Sequence, residues 1–207
     1  RNVDEDDSVE SYTGKIFESA MASLDQVHHS LDMSAVNRAV DLLTQAKKIA
    51  FFGLGSSAAV AHDAMNKFFR FNVPVIYSDD IVLQRMSCMN CDDDDVVVII
   101  SHTGRTKSLV ELAQLAREND AMVIALTSAG TPLAREATLA ITLDVPEDTD
   151  IYMPMVSRLA QLTVIDVLAT GFTLRRGAKF RDNLKRVKEA LKESRFDKEP
   201  FVPSDNQ

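Results

Sequence analysis

The sequence predicts an α/β fold, a doubly wound five-stranded parallel sheet flanked by helices, with extra helices at both ends. Two observations predict it. From residue 48 onward, short β-type runs alternate with amphipathic helical stretches, the pattern of successive βαβ units. The run Val96-Val97-Val98-Ile99-Ile100 is continuously apolar, as a strand buried on both faces of a parallel sheet must be.

The elements follow in order. Residues 8–31 place Ile16, Ala20, Leu24 and Val27 on one helical stripe, and residues 34–46 do the same with Val36, Val40 and Leu43. Strands are then expected at 48–53, 74–77, 96–101, 122–127 and 138–143. Helices between them are expected at 57–71, 80–89 and 106–118. In the first of these Val60, Ala61, Ala64, Met65, Phe68 and Phe69 recur at helical spacing. Helices at about 155–172 and 178–195 finish the chain. Residues 1–8 read as an acidic linker, 9–198 as one folded domain and 199–207 as a polar tail. Because the chain starts at Arg1 rather than Met, further sequence is expected upstream.

At 207 residues, 45% hydrophobic and 26% charged, the composition is that of a globular domain with one core. No apolar stretch approaches the roughly 20 residues of a membrane span, so no membrane partner is expected and a cytoplasmic location is the default. The net charge of −8 and the isoelectric point near 5.0 argue against the chain coating a nucleic-acid backbone by itself. The charge is uneven, however. Residues 4–10 carry five acids, while residues 175–198 carry ten Lys or Arg against four Asp or Glu. The ordinary reading is a solvated helix face opposite an acidic linker.

Ligands of open α/β sheets bind beyond the carboxyl ends of the strands where strand order reverses, which directs attention to the loops after the first and third strands. The first reads Gly53-Leu54-Gly55-Ser56-Ser57-Ala58: two glycines for a tight turn, two hydroxyls and a helix N-terminus with unpaired N–H groups. The second, Ser101-His102-Thr103-Gly104-Arg105-Thr106, repeats that composition. Either loop alone is explained by helix capping and turn chemistry. Together they can surround one phosphate with neutral donors and two helix N-termini. Gly53-x-Gly55-x-x-Ala58 also fits a dinucleotide fingerprint with Asp79 as ribose acceptor, but Asp79 lies 26 residues past Gly53, and the second hydroxyl loop has no place in that pattern.

Both loops match the two phosphosugar-binding signatures of the SIS (sugar isomerase) domain family, Gly-x-Gly-x-Ser and Ser-x-Ser/Thr-Gly-x-Thr. Segments such as Lys67-Phe68-Phe69-Arg70 and Ser157-Arg158-Leu159-Ala160-Gln161-Leu162 resemble the RpiR group of regulators, and the whole chain resembles its sugar-acid-responsive members. The resemblance implies an upstream helix-turn-helix domain that alone contacts DNA, control of sugar catabolism genes, a homodimer, and 2-keto-3-deoxy-6-phosphogluconate as effector. By the motif match, Ser57 and Ser101 are the first ligand contacts, followed by Ser56, Thr103 and Thr106, with Gly55, His102 and Gly104 completing the loops. An effector carrying phosphate and carboxylate calls for a cation, and Arg105 or Arg158 is the candidate. No cofactor and no metal are expected.

The alternative is an isomerase of the same fold, which needs a positioned base; His102 and Glu147 are the residues in or near the loops that could act so. No catalytic residue is assigned. Cys88-x-x-Cys91 cannot supply four zinc ligands and does not occupy the strand-to-helix position of a thioredoxin motif. Asp92 to Asp95 lacks calcium-loop spacing and reads as a solvated turn.

Overall fold

The structure, a computed structural model, describes residues 3–145 and 156–196. In chain order the elements are α1 (Val9–Ser30), α2 (Met33–Gln45), β1 (Lys48–Gly53), α3 (Ser56–Phe69), β2 (Val75–Ser78), α4 (Ile81–Met89), β3 (Asp95–Ser101), α5 (Lys107–Glu118), β4 (Met122–Thr127), α6 (Pro132–Glu136), β5 (Leu139–Thr142), α7 (Val156–Arg175) and α8 (Gly177–Lys192). The five strands are all parallel in the order β2-β1-β3-β4-β5, so strand order reverses between β1 and β3. The doubly wound sheet expected from sequence is the one observed.

Helix starts follow the expected chemistry. Ser8, Asp32 and Asp80 cap α1, α2 and α4, each side chain accepting from first-turn amides. The short α6 escapes the sequence reading, although Thr131-Pro132 carries its signal: the Thr131 hydroxyl accepts from the Ala134 amide, and proline occupies the first turn. Residues 199–207 and Glu147 lie outside the described residues. Two acids of the stretch before α1, Asp4 and Asp7, are tied to that helix. Lys15 donates to Asp7 at 2.7 Å and to Asp4 at 3.0 Å, while the Ser11 hydroxyl donates to Asp7.

Two cores sandwich the sheet. One joins alternate residues of the strands, such as Phe51, Val98, Ile100 and Leu126, to α2, α3 and α7. The other joins Phe52, Val97, Ile99 and Val123 to α4, α5 and α6. At the end of the first core an aromatic cluster ties α3 to the C-terminal helices. Phe71 stacks on Phe172 at 5.1 Å between ring centroids, and both meet Phe180 edge-on.

That cluster fixes the direction of α7. Phe71 meets Phe172, and one turn back along α3 Lys67 pairs with Asp166, further back along α7, at 2.9 Å. The two helices therefore run parallel. Stepping both back at a rise of about 1.5 Å per residue brings the first turn of α7, with Ser157 and Arg158, level with the first turn of α3, with Ser56 and Ser57.

Candidate functional site at the sheet switch point

The two hydroxyl-rich loops lie side by side. In the β1–β3 register Gly53 pairs with Ile100, so the loop after β1 and the loop that begins at Ser101 leave adjacent strands at the same height. They flank the reversal of strand order, where an open α/β sheet opens a crevice.

The first loop is shaped by close approach. A Cβ on Gly53 would lie 2.6 Å from the Ser57 carbonyl oxygen, so only glycine lets β1 pass so near the α3 backbone. Gly55 follows at φ +59° and serves as the N-cap of α3 with no side chain of its own. Ser56 is exposed, whereas Ser57 is buried at the crevice floor. On the opposite side of the sheet the fully buried Gln84 of α4 holds this loop. Its Nε2 donates to the Gly53 carbonyl at 3.2 Å and to the Ser78 carbonyl at 2.8 Å, bridging the ends of β1 and β2.

The second loop is clamped from below. The buried Ser101 hydroxyl accepts from the Gly104 amide at 3.1 Å, which leaves its own proton to donate elsewhere. Gly104 sits at φ +61° directly against the side chains of Thr127 and Thr131, where any Cβ would collide with both hydroxyls. Its carbonyl accepts from the Leu133 amide of α6 at 3.0 Å, and the Ser128 hydroxyl donates to the His102 carbonyl at 2.7 Å. Thr103 turns back to accept from the Arg105 amide at 3.3 Å. Thr106 is the N-cap of α5 but its hydroxyl makes no capping bond, and Arg105 and Thr106 are both exposed at the helix start.

Of the sequence-selected residues, Gly55, Ser56, Ser57, Ser101, His102, Thr103, Gly104, Arg105 and Thr106 are brought to one edge of the sheet. Arg158 is exposed in the first turn of α7, the helix that packs beside α3. Glu147 lies outside the described residues. Gln84, Thr127, Ser128 and Thr131 were missed. They touch the loops from other elements, and single-sequence spacing has no means of pairing residues so far apart in the chain. Thr127 carries the plainest mark, a buried hydroxyl with no hydrogen-bond partner among the described residues, facing Gly104.

The other polar features have structural explanations. Cys88 and Cys91 are buried thiols; burial pushes Cys88 up to about 12 and also raises Cys91, whose S–H donates to the Cys88 carbonyl at 2.8 Å. Neither thiol is poised to ionise. Asp94 pairs with Lys47 and Asp95 with Lys48 at the start of β1 and β3.

The SIS domain model matches residues 42–171. Over all 207 residues the chain is 91% identical to the HTH-type transcriptional regulator HexR of Escherichia coli K12, covering 72% of that protein. The chain belongs to the SIS domain family, among the HexR-type regulators of the RpiR group. The HexR regulator of Pseudomonas aeruginosa is 57% identical over 194 residues, 94% of this chain and 68% of that protein. Among solved structures, the Vibrio vulnificus NanR protein complexed with ManNAc-6P superposes with a TM-score of 0.83 at 24% identity, over 91% of this chain and 72% of that one, which shows the SIS fold. Both close relatives are transcriptional regulators, and the SIS chain described here goes with them rather than with the enzymes of the fold.

Proposed function

We propose that this chain is the effector-sensing domain of a regulator of sugar catabolism genes, and that it binds 2-keto-3-deoxy-6-phosphogluconate without turning it over. The juxtaposition of the two loops across the β1–β3 reversal carries the reading. The phosphate sits between the starts of α3 and α5, taking hydrogen bonds from Ser57, Ser101, Ser56, Thr103 and Thr106 and from first-turn amides, where the helix dipoles favour an anion. The carboxylate is met by Arg105, or by Arg158 from the level first turn of α7. Gly55, His102 and Gly104 give the loops their shape.

An effector shifts a regulator only by binding one of its conformations better. A ligand that spans α3, α5 and α7 favours the arrangement in which these helix starts converge. In the full regulator, a homodimer, that arrangement sets the spacing of upstream helix-turn-helix heads on DNA. Isomerase chemistry in the same crevice is the competing reading, with His102 as the described residue able to act as a base.

Calorimetric titration with 2-keto-3-deoxy-6-phosphogluconate, with fructose 6-phosphate and NAD as comparators, tests the reading. The sugar acid is expected to bind selectively and to be recovered unchanged. Ser57→Ala and Ser101→Ala each weaken it by about tenfold or more, as loss of a hydrogen bond to a charged group does. Arg105→Ala weakens the sugar acid but leaves inorganic phosphate untouched. Turnover, or preference for fructose 6-phosphate, moves the protein to the isomerase class.

A further inference from the structure

Among the described residues, two buried side-chain oxygens have no hydrogen-bond partner, Gln84 Oε1 and Thr127 Oγ1. They lie one beneath each hydroxyl-rich loop. Gln84 holds the Gly53 carbonyl of the first loop, and Thr127 lies against Gly104 of the second. A buried polar group left unpaired costs stability, so its place under a binding loop calls for a reason. The Gln84 side chain at least spends its nitrogen on two carbonyls. The Thr127 side chain makes no hydrogen bond at all among the described residues.

Thr127 closes β4, and the strand register pairs it with Ser101 at the end of β3. Both face the same side of the sheet: Val97 and Ile99 of β3, and Val123 and Ala125 of β4, two and four residues before them, all belong to the core under α4, α5 and α6. Neighbouring strands lie about 4.8 Å apart, so two hydroxyls at one register position come within reach through a change of side-chain rotamer. Ser101 Oγ accepts one bond, from the Gly104 amide at 3.1 Å, and a hydroxyl oxygen has two lone pairs. An acceptor site is therefore open at the register partner of Thr127.

Filling that site has a chemical consequence. With one lone pair taken by the Gly104 amide and the other by Thr127, Ser101 can only donate, and its single proton is left for the ligand. Hydrogen bonds in a chain also polarise one another, so a donation into Ser101 Oγ strengthens the donation out of it. We infer that Thr127 is a positioning residue of the phosphate site: its hydroxyl donates to Ser101 Oγ when phosphate is bound and so fixes Ser101 as a donor to the anion. A site arranged in this way takes a group that only accepts hydrogen bonds. The inference rests on the phosphate reading of the two loops and is independent of what the rest of the effector is.

Calorimetric titration of the 207-residue chain with inorganic phosphate and with 2-keto-3-deoxy-6-phosphogluconate tests it through Thr127→Val and Thr127→Ser, each also melted without ligand. Valine keeps the shape and removes the unpaired hydroxyl. Thr127→Val is expected to melt no lower than wild type, yet to bind both ligands about threefold or more weakly. Serine keeps the hydroxyl and loses a buried methyl, so Thr127→Ser is expected to melt lower and to bind as wild type does. In a Ser101→Ala background, Thr127→Val should cost no further affinity, because Thr127 acts through Ser101. A Thr127→Val protein that binds as wild type, affinities that simply follow stability in the two variants, or a full further loss in the Ser101→Ala background would overturn the inference and leave the phosphate reading standing. Phosphate decides the matter even where the sugar acid does not bind. A wild type that takes neither ligand overturns the phosphate reading and the inference together.

Discussion

Gln84 shows how much of a binding loop can rest on one side chain outside it. Its amide nitrogen serves the Gly53 and Ser78 carbonyls at once, and its Oε1 has no partner among the described residues. Gln84→Glu keeps the shape but turns the donor into an acceptor facing two carbonyl oxygens, so the folded protein must hold the new carboxyl protonated. The folded pKa then lies above the unfolded value of about 4.3, the folded state binds the extra proton, and stability falls as pH rises beyond that value, by about 1.4 kcal/mol per unit until the folded pKa is reached. Urea denaturation at pH 4 and pH 7 should therefore show the variant close to wild type at the lower pH and well below it at the higher. Equal deficits at both pH values would mean that the amide makes no such donation.

At the scale of elements, the sheet was legible in the sequence and its supports were not. Runs such as Val96 to Ile100 and Met122 to Thr127 announce strands because burial on both faces demands unbroken apolar residues. The hydroxyl loops stood out only as a pair: glycine and serine after one strand are ordinary turn and cap chemistry, but the same composition after both β1 and β3 is not. Gln84, Thr127 and Ser128 act on the loops across 23 to 31 residues of chain, and nothing local marks them. The ties of Asp4 and Asp7 were invisible for a related reason: acids in a row read as solvated until Lys15, a turn and a half into α1, is seen to pair with these two. Bonds from Lys15, from the Asp4 amide and from Ser11 lower Asp7 to about 2. Since the folded value is depressed, the clamp contributes fully above the ordinary carboxylate value near 3.8 and is lost only as pH falls through about 2. Asp7→Asn should release the segment at neutral pH, seen as faster limited proteolysis ahead of Val9 with α1 helicity retained; unchanged cleavage would show that Asp7 does not hold it.

At the scale of the molecule, α3 and α7 join the two ends of the structure. The first turn of α3 borders the crevice, α7 packs beside it, and the last turns of both carry Phe68 and Phe172 into the aromatic cluster that also takes in Phe51, Phe71 and Phe180. A ligand held at that crevice therefore bears on elements that span the core, not on a detachable lid, and its binding free energy should appear as stability of the whole domain. At about a hundred times the dissociation constant, a ligand that binds only the folded state adds about 2.7 kcal/mol. For a domain of this size that corresponds to a rise of roughly 5–10 °C in melting temperature. Differential scanning calorimetry with saturating 2-keto-3-deoxy-6-phosphogluconate should then move a single transition upward by that amount. Ser57→Ala and Ser101→Ala should blunt the shift in proportion to their lost affinity. Binding seen by titration without any movement of the transition would mean that the loops open and close as a unit uncoupled from the core, and that α3 and α7 do not carry the signal.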